Sequence, residues 1–248
     1  MKKIILFSLA LAAISTTAQA QFYGTSSANR AGRLSIHIGM DNQLSGAKFY
    51  TSASYTPTEV SPSDLKYNSG IMFGLDLASQ NELTESFKLG AMFGFDFAKS
   101  SLTADFTAGK YDIKANVLDF HLGLDGEIVV AEKIGIDFTL APYFQFQFGD
   151  KYQSKIGSVT SDWEEPSKDD MAMPNMDLGV LGRVGCTYHF TEMFGAGVIA
   201  QYRMPFFNPN DGNDHIKDGL RGLGYGGYYM QTKRKSWSIM AVLTIDFM

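Results

Sequence analysis

The stretch Ile134-Gly-Ile-Asp-Phe-Thr-Leu-Ala-Pro-Tyr-Phe-Gln-Phe-Gln-Phe148 decides the fold of this chain. Its even-numbered positions carry Ile, Phe, Leu and Pro, whereas its odd-numbered positions carry mostly Gly, Asp, Thr, Tyr and Gln. A period of two predicts a β-strand with one apolar face. The alternation lasts longer than a typical soluble strand, and a tilted strand needs about 9–11 residues to cross a bilayer. The stretch therefore predicts a membrane-crossing strand.

The same alternation recurs along the chain, with one parity almost purely apolar in each segment. The eight segments are residues 33–40, 70–77, 87–97, 118–128, 134–148, 176–190, 194–204 and 237–247. Two further segments, 48–56 and 225–231, could raise the number of strands to ten. The sequence therefore predicts an all-β chain of eight or ten strands.

The connections between these segments alternate in length. Residues 79–85, 131–133 and 191–193 are short connections, whereas 41–69, 99–112, 150–174 and 205–236 are long and polar. Short periplasmic turns and long extracellular loops are typical of outer-membrane barrels. We therefore predict a single antiparallel up-and-down transmembrane β-barrel. The alternative is a soluble periplasmic sandwich, which would show this alternation only by chance.

The first twenty residues have the features of a cleavable export signal. Lys2 and Lys3 precede an apolar run over 4–14, and Ala18-Gln-Ala20 supplies small residues at a cleavage site before Gln21. The run is shorter than the 18 or more apolar residues of a membrane-spanning helix. We expect a signal peptide over 1–20 and a barrel domain over 21–248. A chain without another helix-length apolar run would have to cross a membrane as a closed barrel.

The composition excludes several classes of partner and site. A net charge of −5 without a clustered basic surface argues against nucleic acid. Cys186 is the single cysteine, so it forms no intramolecular disulfide and no cysteine zinc site. Its apolar neighbours predict a buried or lipid-facing small side chain.

The polar parity of the strands collects charged side chains that should face the barrel interior. An eight-stranded barrel is just wide enough for its own side chains, so these charges should pair with one another and fill it. We predict no catalytic, cofactor or metal site among them; a small-ligand cavity is the alternative. Inward glycines should let Tyr143, Gln145 and Arg203 fold across the interior. The charged set is Arg33, His37, Asp76, Lys88, Asp96, Asp119, His121, Asp125, Glu127, Asp137, Arg183, His189, Arg203 and Asp246.

The loops and the outward parity give no sign of an enzyme. A lipid-modifying barrel enzyme would need His with Ser or Asp near its outer end, and the outward parity has no Ser–His pair. His215 lies in the polar segment 208–218, which lacks the spacing of a calcium loop. Trp163 lies in an acidic loop that should fold on itself, although an exposed Trp could instead contact a partner.

Residues 33–248 resemble the small eight-stranded outer-membrane barrels of Gram-negative bacteria, the family of OmpA and OmpX. The Gly-rich and Phe-rich acidic style is also similar to the PorT-like barrels of the Bacteroidetes. The resemblance implies an outer-membrane location, a lipid environment, assembly by the barrel-assembly machinery and a non-enzymatic structural or interaction role. A porin-like narrow path for a small or apolar molecule, or an accessory role beside an envelope protein partner in secretion or uptake, is the alternative.

Overall fold

The computed structural model describes residues 30–53, 56–59, 61–106, 109–165, 175–208 and 226–247. No helix among these residues is long and apolar enough to cross a membrane. A short 3-10 turn covers Pro62–Asp64. The strands are β1 (Arg30–Ala53), β2 (Thr56–Glu59), β3 (Leu65–Asn68), β4 (Gly70–Thr84), β5 (Phe87–Phe106), β6 (Gly109–Ala131), β7 (Ile134–Ile156), β8 (Val159–Thr160), β9 (Asn175–His189), β10 (Phe194–Phe207) and β11 (Gly226–Phe247).

Eight of these strands form a closed antiparallel ring. The order is β11-β10-β9-β7-β6-β5-β4-β1, and β1 closes the ring on β11. The predicted eight-stranded up-and-down barrel is confirmed. The ten-stranded alternative is wrong, because residues 48–53 continue β1 and 226–231 continue β11. The short strands β2, β3 and β8 only extend the sheet beside β1, β5 and β7.

The outer surface of the ring is an apolar belt. Large apolar side chains project from every strand of the ring, among them Ile38, Leu140 and Val184, which are 60%, 57% and 56% exposed. Charged side chains such as Asp96 and Arg203 are instead buried inside the ring. A soluble sandwich would bury the apolar side chains and expose the charges, so this barrel spans a membrane.

One end of the barrel has short turns, as predicted. The ring strands are joined there through residues 85–86, 132–133 and 190–193. We call this the turn end. The opposite end was predicted to carry four long loops, and that prediction is wrong in part. Strand β5 runs to Phe106 and β6 begins at Gly109, so the predicted loop 99–112 is almost entirely strand.

The strands continue past the belt because their pattern inverts there. Leu102, Ala104 and Ile113 face inward and are buried, whereas Lys99 and Lys114 on the same strands face outward and are exposed. A strand surrounded by water buries apolar side chains on its inner face and exposes polar ones. Strands β1, β7 and β11 also pass beyond the belt, and we call this region the extension.

A buried carboxylate holds an irregular point of the extension. Lys233 has a positive φ of 53°, which is uncommon for a residue other than glycine. The Asp177 carboxylate accepts hydrogen bonds from the backbone N–H groups of Lys233 and Arg234 at 2.9 and 2.8 Å. The Asn208 amide donates a third bond to it at 2.7 Å. Three donors on one carboxylate fix the place of the register shift between β1 and β11.

Placing a charge on the belt tests the membrane boundary. We expect Leu140→Arg to lower the free energy of unfolding by about 2–4 kcal/mol, because a cationic side chain there would face the hydrocarbon core. Val159→Arg is the matched control, since Val159 is 71% exposed in β8 of the extension. Urea unfolding in lipid vesicles measures both. Equal effects of the two substitutions would contradict the boundary.

Candidate functional site

The interior of the barrel is the candidate site. All fourteen charged residues predicted to face inward do so, and they form two layers. The turn-side layer contains Arg33, Lys88, Asp125, Glu127, Asp137, His189 and Asp246. The central layer contains His37, Asp76, Asp96, Asp119, His121, Arg183 and Arg203, together with Asp41, which is not one of the fourteen.

The ring order makes the arginines span the interior. In a ring of eight, strands four places apart face each other, so β10 faces β5, β9 faces β4 and β1 faces β7. Each of these strand pairs is joined by one Arg–Asp bridge. The bridges are Arg203–Asp96 at 2.6 Å, Arg183–Asp76 at 2.6 Å and Arg33–Asp137 at 2.9 Å.

Arg203 is the hub of the central layer. Its guanidinium contacts Asp96 and Asp119 through Nη2, at 2.6 and 2.7 Å, and Asp41 through Nη1 at 3.2 Å. Arg183 adds a second contact to Asp96 at 3.0 Å. All these groups are buried, so each charge depends on the others for its compensation.

Two histidines lie between the carboxylates. His37 Nε2 is 2.6 Å from Asp96, and His121 contacts Asp76 through Nε2 at 2.8 Å and Asp119 through Nδ1 at 3.0 Å. Gly94 leaves room for one of these contacts, because a Cβ there would overlap Asp76 Oδ1 and His121 Nε2. Gly179 is a second inward glycine, and it makes room for the large side chain of Tyr143, as predicted. A Cβ at Gly179 would lie 2.7 Å from the Tyr143 ring.

Arg33 organises the turn-side layer. It donates to Asp246 through Nε at 2.7 Å, to Asp137 through Nη1 at 2.9 Å and to Glu127 through Nη2 at 2.7 Å. Lys88 and His189 also contact Glu127, at 3.1 and 2.7 Å. The layer therefore joins β1, β5, β6, β7, β9 and β11 through charge-assisted hydrogen bonds.

The two layers leave little free space. A cavity of about 30 Å³ between them is lined by Arg33, Asp125, Asp137 and Arg183, among others. That is room for about two water molecules, whereas small-molecule sites measure roughly 300–1,000 Å³. The geometry favours the filled interior over the small-ligand cavity.

One group of inward side chains has donors close enough for a metal ion. The ligand atoms of Asp96, Asp119 and His121 all lie within 4.8 Å of one another. The Arg203 guanidinium already bridges the two carboxylates, and His121 bonds to both Asp119 and Asp76. We therefore assign the group to the ion-pair network.

The predicted charged set omitted three residues of the interior, although Asp177 lies on the inward parity of the sixth segment. Asp41 accepts from Arg203 and Arg234, and Asp177 accepts from the backbone of β11 at its irregular point. Asp41 and Arg234 had been placed in long loops, because the apolar outward parity ends at Met40 and begins again at Trp237. Extending the inward parity alone along the chain would have predicted that both face the interior. Asp41 has the same parity as the inward residues of β1, and Arg234 has the same parity as those of β11.

Part of the inner face of the extension is apolar. Leu65, Leu102, Ala104 and Ile113 form a buried cluster with three partly buried tyrosines packed against it. The tyrosines are Tyr67, Tyr111 and Tyr152. Burial and the nearby Glu164 carboxylate raise the pKa of the Tyr111 hydroxyl. At this cluster, which lies on β3, β5, β6 and β7, the interior thus changes from charged to apolar beyond the central layer.

Three other predicted features have different outcomes. Cys186 is exposed on the outward parity of β9, which confirms a lipid-facing position. The described part of the acidic loop, up to Glu165, folds back as predicted, since Glu164 pairs with Tyr152 and Lys114 lies 4.0 Å from the Trp163 ring. His215 and the predicted signal peptide lie outside the described residues.

Neither a protein-family model nor a curated protein matches the chain. Among solved structures, the chain is similar to the outer membrane protein OprG from Pseudomonas aeruginosa, with 12% identity, a TM-score of 0.49 and coverage of 88% of this chain and 97% of that one. It is similar to the attachment invasion locus protein Ail of Yersinia pestis, at 10% identity, TM-score 0.35 and coverage of 87% and 99%. It is also similar to the outer membrane protease OmpT from Escherichia coli, at 12% identity, TM-score 0.37 and coverage of 90% and 99%. The barrel assignment depends on the ring closure and the exposed belt of this chain.

Removing the hub of the central layer should be costly. We expect Arg203→Met to lower the free energy of unfolding by about 3–5 kcal/mol, because three buried aspartates lose their shared cation. Lys66→Met is the control, since Lys66 pairs with Asp105 in solvent and should contribute about 0–1 kcal/mol. Urea unfolding in vesicles measures both. A change of less than about 1 kcal/mol in the free energy of unfolding of Arg203→Met would contradict the role of Arg203 as the hub.

A methyl group tests the packing around the histidines. We expect Gly94→Ala to destabilise the barrel by about 1–3 kcal/mol, because the added carbon overlaps Asp76 and His121. Gly182→Ala is the matched control, since a Cβ at that strand glycine meets nothing within 4 Å. The temperature at which each variant loses its fast-migrating folded band on a gel compares them. Equal temperatures would argue against tight packing at Gly94.

Proposed function

We propose that this chain is a non-enzymatic integral outer-membrane protein with a structural or interaction role. A single observation carries the proposal: three Arg–Asp bridges join opposite walls of the barrel. The closed interior supports a protein that works through its outer surfaces. The extension supplies the surface that would face the exterior of the cell, and the turn end would face the periplasm.

The bridges argue against a transport path along the barrel axis. Arg183 and Arg203 are 6% and 1% exposed, and each crosses the central layer to the opposite wall. A molecule moving along the axis would have to separate these pairs inside the barrel. Separating a buried pair leaves uncompensated charges and is strongly unfavourable.

The burial of the histidines supports a non-enzymatic role. The side chains of His37 and His121 are fully buried, and both are held by carboxylates. A general acid or base must come within hydrogen-bond distance of its substrate. Among the described residues, the two imidazoles instead contact carboxylates of the network and the Arg183 guanidinium.

The extension supports an interaction role. Its strands continue the ladders of the barrel, with β5 and β6 paired from Phe87 and Ile128 to Phe106 and Gly109. Its own apolar cluster, which includes Leu102 and Ile113, holds these strands together. An ordered sheet presents fixed side chains to a partner at a lower entropic cost than a loose loop does.

Conductance tests the closed interior. We expect the purified full chain to insert into planar lipid bilayers without measurable ion conductance. The triple variant Arg33→Ala/Arg183→Ala/Arg203→Ala should conduct, because all three bridges across the interior are lost. Lys66→Ala/Lys110→Ala/Lys155→Ala is the matched control, since it removes three cations of the extension. Steady conductance by the unmodified chain would overturn the closed-interior proposal.

Membrane placement and partnership need separate measurements. We expect the chain to fractionate with outer membranes and to migrate faster on a gel before boiling than after it. A protein that remains in solution without detergent would refute the placement. Mild detergent extraction that recovers a stoichiometric envelope protein would identify an accessory subunit. A barrel recovered alone would favour a free-standing structural role.

A further inference from the structure

The lipid-facing surface is not uniform around the barrel. Six phenylalanines form what we call the phenylalanine cluster, where β4 to β7 approach the extension. Its ring centroids lie 5.2 to 6.3 Å apart in successive pairs, from Phe73–Phe97 at 5.2 Å to Phe97–Phe148 at 6.3 Å. The members are Phe73, Phe97, Phe120, Phe144, Phe146 and Phe148.

A row of cations begins where the phenylalanine cluster ends. Lys99 is the next outward residue after Phe97 on β5, and Lys114 and Lys151 are direct cross-strand partners on β6 and β7. All three side chains are exposed. We call Lys99, Lys114 and Lys151 the lysine row. Its position at the edge of the apolar belt is the level of the lipid headgroups.

The contacts of the lysine row leave it able to bind another anion. Lys151 pairs with Glu165 at 3.1 Å, but the two side chains are 51% and 71% exposed, and such a pair contributes little. Lys114 lies 4.0 Å from the Trp163 ring, and a Trp at this level suits a membrane interface. Like charges directly opposite each other are unfavourable, and an anion between Lys114 and Lys151 would relieve that repulsion.

Three lysines of the extension lie farther from the belt than the lysine row. Lys66 pairs with Asp105 at 3.3 Å, Lys110 pairs with Asp112 at 3.2 Å, and Lys155 is the direct cross-strand partner of Lys110. These lysines lie on the same side of the extension but beyond the expected headgroup level. The cations closest to the phenylalanine cluster are therefore the ones best placed to meet a charged headgroup.

We propose that the lysine row binds the phosphate groups of an anionic lipid in the outer leaflet. The acyl chains of that lipid would pack against the phenylalanine cluster, so that one molecule contacts both surfaces. This proposal rests on the membrane placement under Proposed function and adds a lipid class and a location. Basic side chains close to a membrane surface gain about 1 kcal/mol each from anionic lipid, roughly a fivefold increase in affinity per lysine.

Two triple variants with the same change of charge test the location. The first is Lys99→Gln/Lys114→Gln/Lys151→Gln, and the matched control is Lys66→Gln/Lys110→Gln/Lys155→Gln. Each full-length protein is held in zwitterionic detergent micelles and titrated with bisphosphorylated lipid A, and native mass spectrometry counts the bound lipid. We expect the first variant to bind about tenfold or more weakly, and the control to change less than about twofold.

The remaining outcomes separate the sources of binding. Equal losses in both triple variants would show diffuse attraction, and no loss in either would show that the lysine row binds nothing. Equal binding of dephosphorylated lipid A would assign the affinity to the acyl chains alone. Displacement of the lipid by an equal concentration of inorganic phosphate would point to free phosphate. Each of these results overturns the proposal. A gel shift on boiling shows in parallel that the barrel is folded, so loss of lipid binding alone leaves the proposed function intact.

Discussion

The requirement that every backbone polar group find a partner in lipid governs this structure. No water is available inside the bilayer, so the sheet must close, and the ladder from Gly32↔Phe247 to Ser52↔Gly226 between β1 and β11 closes it. Closure then fixes which strands face each other. Because β10 faces β5 and β9 faces β4, Arg203 and Arg183 reach aspartates across the interior. The interior network is thus a consequence of the same closure that satisfies the backbone.

The environment of each strand changes along its length, and the side-chain pattern changes with it. Within the belt, lipid contacts the outer face of the strands. An apolar side chain there is no more stable inside the barrel than outside it, and the interior can be filled by charged pairs. Beyond the belt, water contacts the outer face, and burial of Leu102 and Ile113 stabilises the sheet as in a soluble protein. Strand β5 makes this change between Phe97, which faces lipid, and Lys99, which faces water.

The ring and its inward set could be predicted because a period of two survives in every membrane-crossing segment. The extension could not be predicted from the same signal, since its outward parity is polar and a search for apolar outward residues stops at Phe97. Asp41 and Arg234 lie just beyond the ends of the apolar outward pattern and were therefore not predicted to face the interior. The pairing of Arg183 with Asp76, 107 residues apart in sequence, follows from the closed ring order and has no local signature. The alternating pattern predicts which charged residues face inward, and the closed ring order determines their partners.

The buried charges have a further consequence for how the strands align. Buried ion pairs are weak evidence for stability, because removing charges from water costs about as much as pairing them returns. A slip of one residue on β9 would turn Arg183 towards lipid and bring Gly182 or Val184 inward. A slip of two residues would keep the parity but draw the guanidinium away from Asp76 and Asp96, which it contacts at 2.6 and 3.0 Å. Because both slips leave buried carboxylates uncompensated, the Arg–Asp bridges select one register among those that the alternating pattern alone permits.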